Sequence, residues 1–197
     1  MNLNEDIIFL EKQFRNGNLS TPKIIDSDVT TFCKYLGNTN KPYYLKTKPF
    51  HWSRVNCCDL NVKKVVKEQG GKIVFGFKIW SIPKLYIEAS LHSIWENPNG
   101  ELIDITPNED GEETVLFLSE PRLNTVRLKR EGEKPRLALK ETLVEYVKLF
   151  IKQQLTIEYV YPSDEDIWEN NISYKRLRKK LNTIRATREE LIKGIKV

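Results

Sequence analysis

Cys58, His92 and Asp104 are the residues of this chain whose types and order could do covalent chemistry together. The chain has two histidines and three cysteines in 197 residues, and one histidine and two adjacent cysteines fall in the segment 57–107, CCDLNVKKVVKEQGGKIVFGFKIWSIPKLYIEASLHSIWENPNGELIDITP. A thiol is a weak nucleophile until it is deprotonated, and both a helix N-terminus and a nearby imidazolium favour the thiolate. A carboxylate on the far side of the imidazole holds the ring and its charge. The chemistry this set would support is acyl transfer through a thioester. Backbone N–H groups at the helix start would receive the oxyanion. Cys57 is the second choice of nucleophile, because the helical period leaves it outside the first turn. His51 is the alternative base, close to Cys58 in sequence.

The elements that must position these side chains follow from periodicity. Leu60, Val62, Val65 and Val66 are spaced for a helix from Cys58 to Gln69, stopped by Gly70-Gly71. Lys72 to Trp80 alternates into a strand with Ile73, Phe75, Phe77 and Ile79 on one face, and Gly76 inside it signals a bulge or a close backbone approach. Pro83 precedes a second strand, Leu85 to Trp95. Asn97-Pro98-Asn99-Gly100 reads as a hairpin turn, and Glu101 to Thr106 as the returning strand.

The hairpin supplies a geometric test. A type I turn with a glycine bulge leaves Asn97 and Glu101 flanking the loop, so Asp104 faces Ile94 and His92 lies diagonal to Asp104 on the same sheet face. Diagonal neighbours stand roughly 7–8 Å apart at their α-carbons, within reach of a carboxylate–imidazole contact. A slip of one residue would put them on opposite faces. Glu88, Ser90 and His92 share one face, which predicts a polar setting for the imidazole; Ile87, Ala89, Leu91 and Trp95 share the other.

Outside this segment, Asn4 to Asn16 reads as a helix stopped by Gly17. A second short helix, capped by Ser27 or Asp28, runs through Val29, Phe32, Cys33 and Leu36 to Gly37. Residues 38–56 read as a long irregular approach to the nucleophile. Thr114 to Leu118 reads as a strand, residues 119–136 as a connection with a further strand at Thr125 to Leu128, and Leu139 to Gln154 as a helix. Thr156 to Tyr161 is expected as an edge strand, Ser163 to Glu169 as a short helix, and Tyr174 to Ile195 as a basic amphipathic helix. Helices and hairpin-linked strands in this order make the fold class α+β.

Four residues are candidates for substrate contact: Trp52, Asn61, Glu88 and Trp95. Each also has a structural reading: aromatic packing for the two tryptophans, local hydrogen bonding for Asn61, a solvated strand carboxylate for Glu88. Cys58 itself has the alternative of packing as a small hydrophobe.

The net charge is +5. Residues 173–197 hold nine Lys or Arg against Glu189 and Glu190, so the rest of the chain is net −2 and any basic surface belongs to that tail. The tail predicts a partner-docking helix, with nucleic acid binding through residues 175–188 unfavoured because Tyr174 is its only aromatic. Without an apolar run of about 18 residues, no membrane span is expected, and MNLNEDIIFLEKQF lacks the basic start and apolar core of a secretory signal. A cytoplasmic protein with reduced cysteines is expected. With no CxxC pair, neither a metal site nor a cofactor is expected.

His92 to Pro107, H-S-I-W-x(4)-G-x(3)-D-I-T-P, resembles the His and Asp motif of transglutaminase-like thiol enzymes. C-x-x-N at Cys58 and Asn61 is similar to the nucleophile motif of uncharacterised bacterial and phage members of that group. The resemblance is confined to the segment 57–107 and implies a papain-like α+β core; the expected division of the chain is an α+β domain at residues 1–161 with residues 162–197 as a basic amphipathic helical extension packed on it. It implies that Cys58 attacks an amide or acyl carbon of a protein, peptide or small substrate, that His92 shuttles the proton, and that Asp104 holds the ring. Two residues separate His92 from Trp95 where transglutaminases usually have one. The superfamily spans proteases, deamidases, amide-forming transferases and inactive members. A non-catalytic binding module using the basic tail is the competing expectation.

Overall fold

Caps and apolar spacing explain the first two helices. The computed structural model describes residues 3–123 and 134–155, with side chains for 5–123 and 134–151. In α1 (Leu3–Arg15), Ile7 and Leu10 are buried, with acids in the first turn and bases in the last to complement the helix dipole. Gly17, at φ +71°, ends it. In α2 (Ser27–Tyr35) the cap is Asp26, whose carboxylate accepts the N–H groups of Asp28 and Val29 at 3.0 Å. The cap thus lies one position before the expected Ser27 and two before Asp28. The acid sitting just outside the first helical residue is the one aimed at its orphan donors.

Residues 38–56 are not wholly irregular: they contain β1 (Tyr43–Lys46). Then follow α3 (Cys58–Gln69), β2 (Lys72–Ile82), β3 (Tyr86–Glu96), β4 (Leu102–Ile103), β5 (Thr114–Ser119) and β6 (Arg136–Ala138). A 3-10 turn, Glu141–Leu143, leads into α4 (Val144–Leu155). The helix expected from Leu139 thus starts later. The Leu139 N–H donates to Leu85 O at 2.9 Å, prolonging the β6 ladder through a stretch whose strand partner lies some fifty residues back.

The six strands form one antiparallel sheet in the order β1-β5-β2-β3-β4. β2 covers one side of β3 along its whole length, so β4 and β6 share the other side, at opposite ends. Between them β3 has no strand partner among the described residues. The hairpin register is the one its turn demands: Trp95 faces Ile103 and Glu96 faces Leu102. Asn97 N donates to Glu101 O, and Asn97 Oδ1 accepts from Asn99 N and Glu101 N. The returning strand leaves β3 after Ile103, however, because Asp104 pairs with Thr47 instead. Lys48 N donates to Asp104 O at 2.8 Å, so the β1 edge meets the end of β4 and the sheet curls on itself.

One sheet face is covered by helices. Phe77, Ile79, Ile87, Ala89, Leu116 and Leu118 pack with Val29 and Phe32 of α2, while Trp95, Ile103 and Ile105 pack with Val62 and Val65 of α3. The other face, inside the curl, holds Leu45, Ile94, Val115 and Phe117. The chain divides into two compact units, Met1–Val147 and Lys148–Val197; the sheet, α1, α2 and α3 all belong to the first. The expected domain limit at 161/162, the strands at 125–128 and 156–161, and the helices at 163–169 and 174–195 lie outside the described residues.

Candidate active site

Cys57 is the N-cap of α3, with backbone at φ −116°, ψ 40°, and its carbonyl accepts the first helical bond from Asn61 N at 2.8 Å. Cys58 is therefore the first helical residue. The N-cap residue makes no side-chain capping bond, and first-turn N–H groups of a helix, which have no intrahelical acceptor, face whatever sits over its start. Cys58 is half-buried, whereas Cys33 and Cys57 are buried.

Strand alternation assembles the rest. Ile103 and Ile105 point to α3, which sends Asp104 between them to the inside of the curl. His92, even-numbered like Ile94, is on that inner face too. His92 Nε2 stands 3.0 Å from Asp104 Oδ1. The N–H is not aligned for a straight hydrogen bond, so the pair is an ion contact that still has room to tighten. The Cys58 thiol is coupled electrostatically to the His92 imidazole. With Nε2 turned to Asp104, the imidazole is left with Nδ1 for the sulfur. His92 is buried, 7% exposed, rather than in the polar setting expected of its face, because the curl closes over it.

The three groups set one another's protonation. Burial alone would push the Cys58 thiol up; the charge on His92 and contacts from His92 and Ser93 outweigh it and leave the thiol below its ordinary value. Burial would pull His92 down, but Asp104 and the Cys58 thiolate more than offset this and raise it to about 10. Burial also works against the Asp104 carboxylate. His92, the Thr106 N–H at 3.0 Å and the charge of Lys78 win, and hold it below the usual carboxylate range. A thiolate–imidazolium pair backed by a carboxylate is the arrangement these interactions favour.

Neighbours on the inner face hold the set in place. Gly76 is the direct cross-strand partner of His92. A Cβ on Gly76 would lie 2.2 Å from Leu118 O and 2.5 Å from Phe117 Cζ. The missing side chain is thus the space that the Phe117 ring fills, and that ring stands edge-on to the His92 imidazole at 6.4 Å. The β2–β3 register runs unbroken through Gly76, so the glycine marks a close approach and not a bulge. Lys78, two residues on, is buried; its ammonium donates to Asn108 Oδ1 and lies 4.6 Å over the Trp80 ring. Burial pushes that ammonium's pKa down, more than the charges of Asp104, Asp110 and Glu112 push it back.

The expected substrate contacts are placed otherwise. Asn61 is fully buried, and its amide is committed: Oδ1 accepts from Arg54 N at 3.0 Å, and Nδ2 donates to Arg54 O at 2.8 Å and Thr106 Oγ1 at 3.2 Å. It ties the loop before Cys58 to the strand after Asp104, and so has no free group for a ligand. Glu88 is neither solvated nor beside the thiol: it is 4% exposed, bonded by the Tyr86 hydroxyl at 2.6 Å and paired with Lys134 and Arg136. Trp95 is in the α3 core and donates its indole N–H to Gly70 O at 3.0 Å, closing the helix C-terminus. Trp52 is half-buried, stacked on Phe50 at 5.1 Å with Lys64 above it. His51 is exposed; the imidazole that reaches Cys58 is His92.

Sequence reasoning missed Ser93, Lys78, Phe117 and Thr106. Parity offered a signal for Lys78, which shares the His92 face once the β2–β3 register is known. For Ser93 parity was misleading, since it points away from His92 along the strand yet helps to lower the same thiol. Among the described residues no group of three or more His, Cys, Asp or Glu is placed to hold a metal ion, and no helix is long and apolar enough to cross a membrane. Comparison with known proteins gave no match to any family model, curated protein or solved structure. The functional reading rests on the geometry of Cys58, His92 and Asp104.

Proposed function

We propose that this protein is a thiol-dependent hydrolase or acyltransferase acting on an amide or acyl bond through Cys58, His92 and Asp104. The observation that carries the reading is the grouping of the three side chains: a half-buried thiol in the first turn of α3, coupled electrostatically to an imidazole that stands 3.0 Å from a buried carboxylate. In this reading the Cys58 thiolate attacks the carbonyl carbon, and first-turn N–H groups of α3 receive the oxyanion. His92 gives its Nδ1 proton to the leaving group as the thioester forms, then takes a proton from the incoming water or amine. Asp104 holds the ring and its charge throughout. A papain-like, transglutaminase-like identity for the curled sheet and its cysteine-bearing helix is part of the same proposal, as are a cytoplasmic setting and a protein, peptide or small-molecule substrate.

The test is covalent. Incubation with p-nitrophenyl acetate should release p-nitrophenolate and leave one acetyl group on Cys58, read by mass spectrometry of the peptide. Iodoacetamide should alkylate Cys58 well below the pH at which a free thiol reacts, and Cys58→Ala should abolish both signals, since Cys33 and Cys57 are buried. Equal labelling of the Cys58→Ala protein would refute the proposal.

A further inference from the structure

Lys78 carries a buried charge on the inner face that no carboxylate pairs with. It is 5% exposed. Its ammonium has two partners, both uncharged: it donates to Asn108 Oδ1, and the centroid of the Trp80 ring lies 4.6 Å away. Among the described residues no Asp or Glu forms an ion pair with it, because the acids around it are engaged elsewhere. Asp104 meets His92 at 3.0 Å and accepts the Thr106 N–H. Glu112 accepts Thr21 N at 2.6 Å and Thr21 Oγ1 at 3.0 Å, and Asp110, which is exposed, accepts Glu112 N. Lys134 also lies over the Trp80 ring, but Glu88 Oε1 at 3.1 Å supplies its counter-charge. Buried charges are ordinarily paired, since an amide and a ring compensate little of the cost of desolvating an ammonium. An ammonium has three N–H donors, and Asn108 takes one of them.

The sheet register says where an anion paired with Lys78 would lie. Gly76 is the cross-strand partner of His92, and Lys78 faces Ser90, two residues along on the same face. Same-face neighbours on a strand stand about 7 Å apart. We infer that Lys78 is a specificity-determining residue: its ammonium receives a carboxylate of the substrate, carried within about 7 Å of the carbonyl carbon that Cys58 attacks. The inference rests on the proposed nucleophilic role of Cys58 and narrows its substrates to amides or esters bearing an acid group close to the reacting bond, as an N-acyl amino acid does. The substrate then brings the counter-charge that the chain withholds, and a neutral analogue of the same shape leaves the ammonium as it was. A charge-assisted bond of this kind discriminates by about tenfold or more.

The experiment alkylates Cys58 with iodoacetylglycine and iodoacetyl-β-alanine, each set against its own carboxamide, in wild type and Lys78→Met. In wild type at least one acid should react about tenfold faster than its amide, with a rate that saturates. In Lys78→Met that ratio should fall about tenfold. Taking acid against amide cancels any change that loss of Lys78 makes to the thiol itself. Urea unfolding checks that the variant folds, and the wild-type protein is a test without it: unreactive N-acetylglycine should slow labelling by iodoacetamide, and N-acetylglycinamide should not. A wild-type ratio no greater than unity for both pairs, or a ratio unmoved in folded Lys78→Met, overturns the inference. A Cys58 that reacts no faster than a free thiol with any of the reagents would instead remove the nucleophile proposal, so the two failures are distinguishable.

Discussion

Adding one carbon opposite the imidazole should disturb both the sheet and the site. In Gly76→Ala the new Cβ would lie 2.2 Å from Leu118 O and 2.5 and 2.9 Å from the Phe117 ring, while side-chain carbons keep at least 3.0 Å from such neighbours. Leu118 O belongs to a backbone ladder in which Gly76 faces Ser119 and Phe77 faces Leu118, so it cannot retreat alone. The Phe117 ring is itself packed among Leu45, Ile94 and Val115 and stands edge-on to His92, so it has little room to turn. Overpacking of this kind costs about 3 kcal/mol. Replacing glycine by alanine in a strand recovers about 0.5–1 kcal/mol of backbone entropy. The expected net loss is about 2 kcal/mol, seen as a lower urea midpoint at unchanged slope. Because Phe117 edges the imidazole, the acid limb of Cys58 alkylation should move toward higher pH in the same variant. A stability change within about 0.5 kcal/mol, the range of an unremarkable surface substitution, would refute the steric reasoning.

Two further expectations concern proton linkage and the loop before the nucleophile. His92 is raised from 6.5 to about 10, so its pairing contributes fully below pH 6.5 and is lost as pH rises through about 10; Cys58 is lowered from 9.0, so its contribution is present above that value and lost as pH falls through its folded value. Above pH 6.5 and above the lowered thiol value, and up to pH 9, the folded pair and the unfolded chain hold the same number of protons, so wild-type stability should be flat there with respect to this pair. Cys58→Ser removes the compensating thiolate, and its stability relative to wild type should fall with pH across that window, by up to about 1.4 kcal/mol per pH unit. Parallel stability curves from urea titrations at several pH values would contradict a thiolate–imidazolium pair. Asn61→Ala should cost about 2–3 kcal/mol, since it strands the Arg54 N–H and C=O that the buried amide satisfies; an unchanged urea midpoint would show that the loop does not depend on Asn61.

Periodicity and turn chemistry made the middle of the chain legible. The α3 boundaries, Cys58 to Gln69, follow from apolar spacing and Gly70, and the pairing of Trp95 with Ile103 follows from the Asn97–Gly100 turn. Once that register is set, the shared face of His92 and Asp104 is a matter of parity. What lay beyond local pattern depended on distant partners. β6 is three residues long and exists because Tyr86 to Glu88 needs an edge partner, which no window around Arg136 contains. Leu139 reads as helical by spacing, yet its N–H is taken by Leu85 O. Glu88 reads as a surface acid because alternation reports a face and not what closes over it; Tyr86, Lys134 and Arg136 make it a buried one.

The amino-acid order by itself determined that one thiol would open a helix and that an imidazole and a carboxylate would share a sheet face two rungs apart. Those outcomes depend on neighbours roughly three to twelve residues away, through helical period, strand alternation and turn type. Only the tertiary structure decided that the sheet would curl, joining Thr47 to Asp104, and that Phe117 would fill the space left by Gly76 against His92. Burial and electrostatics arise from groups far apart in sequence that share one volume, and that volume exists only once the sheet has closed.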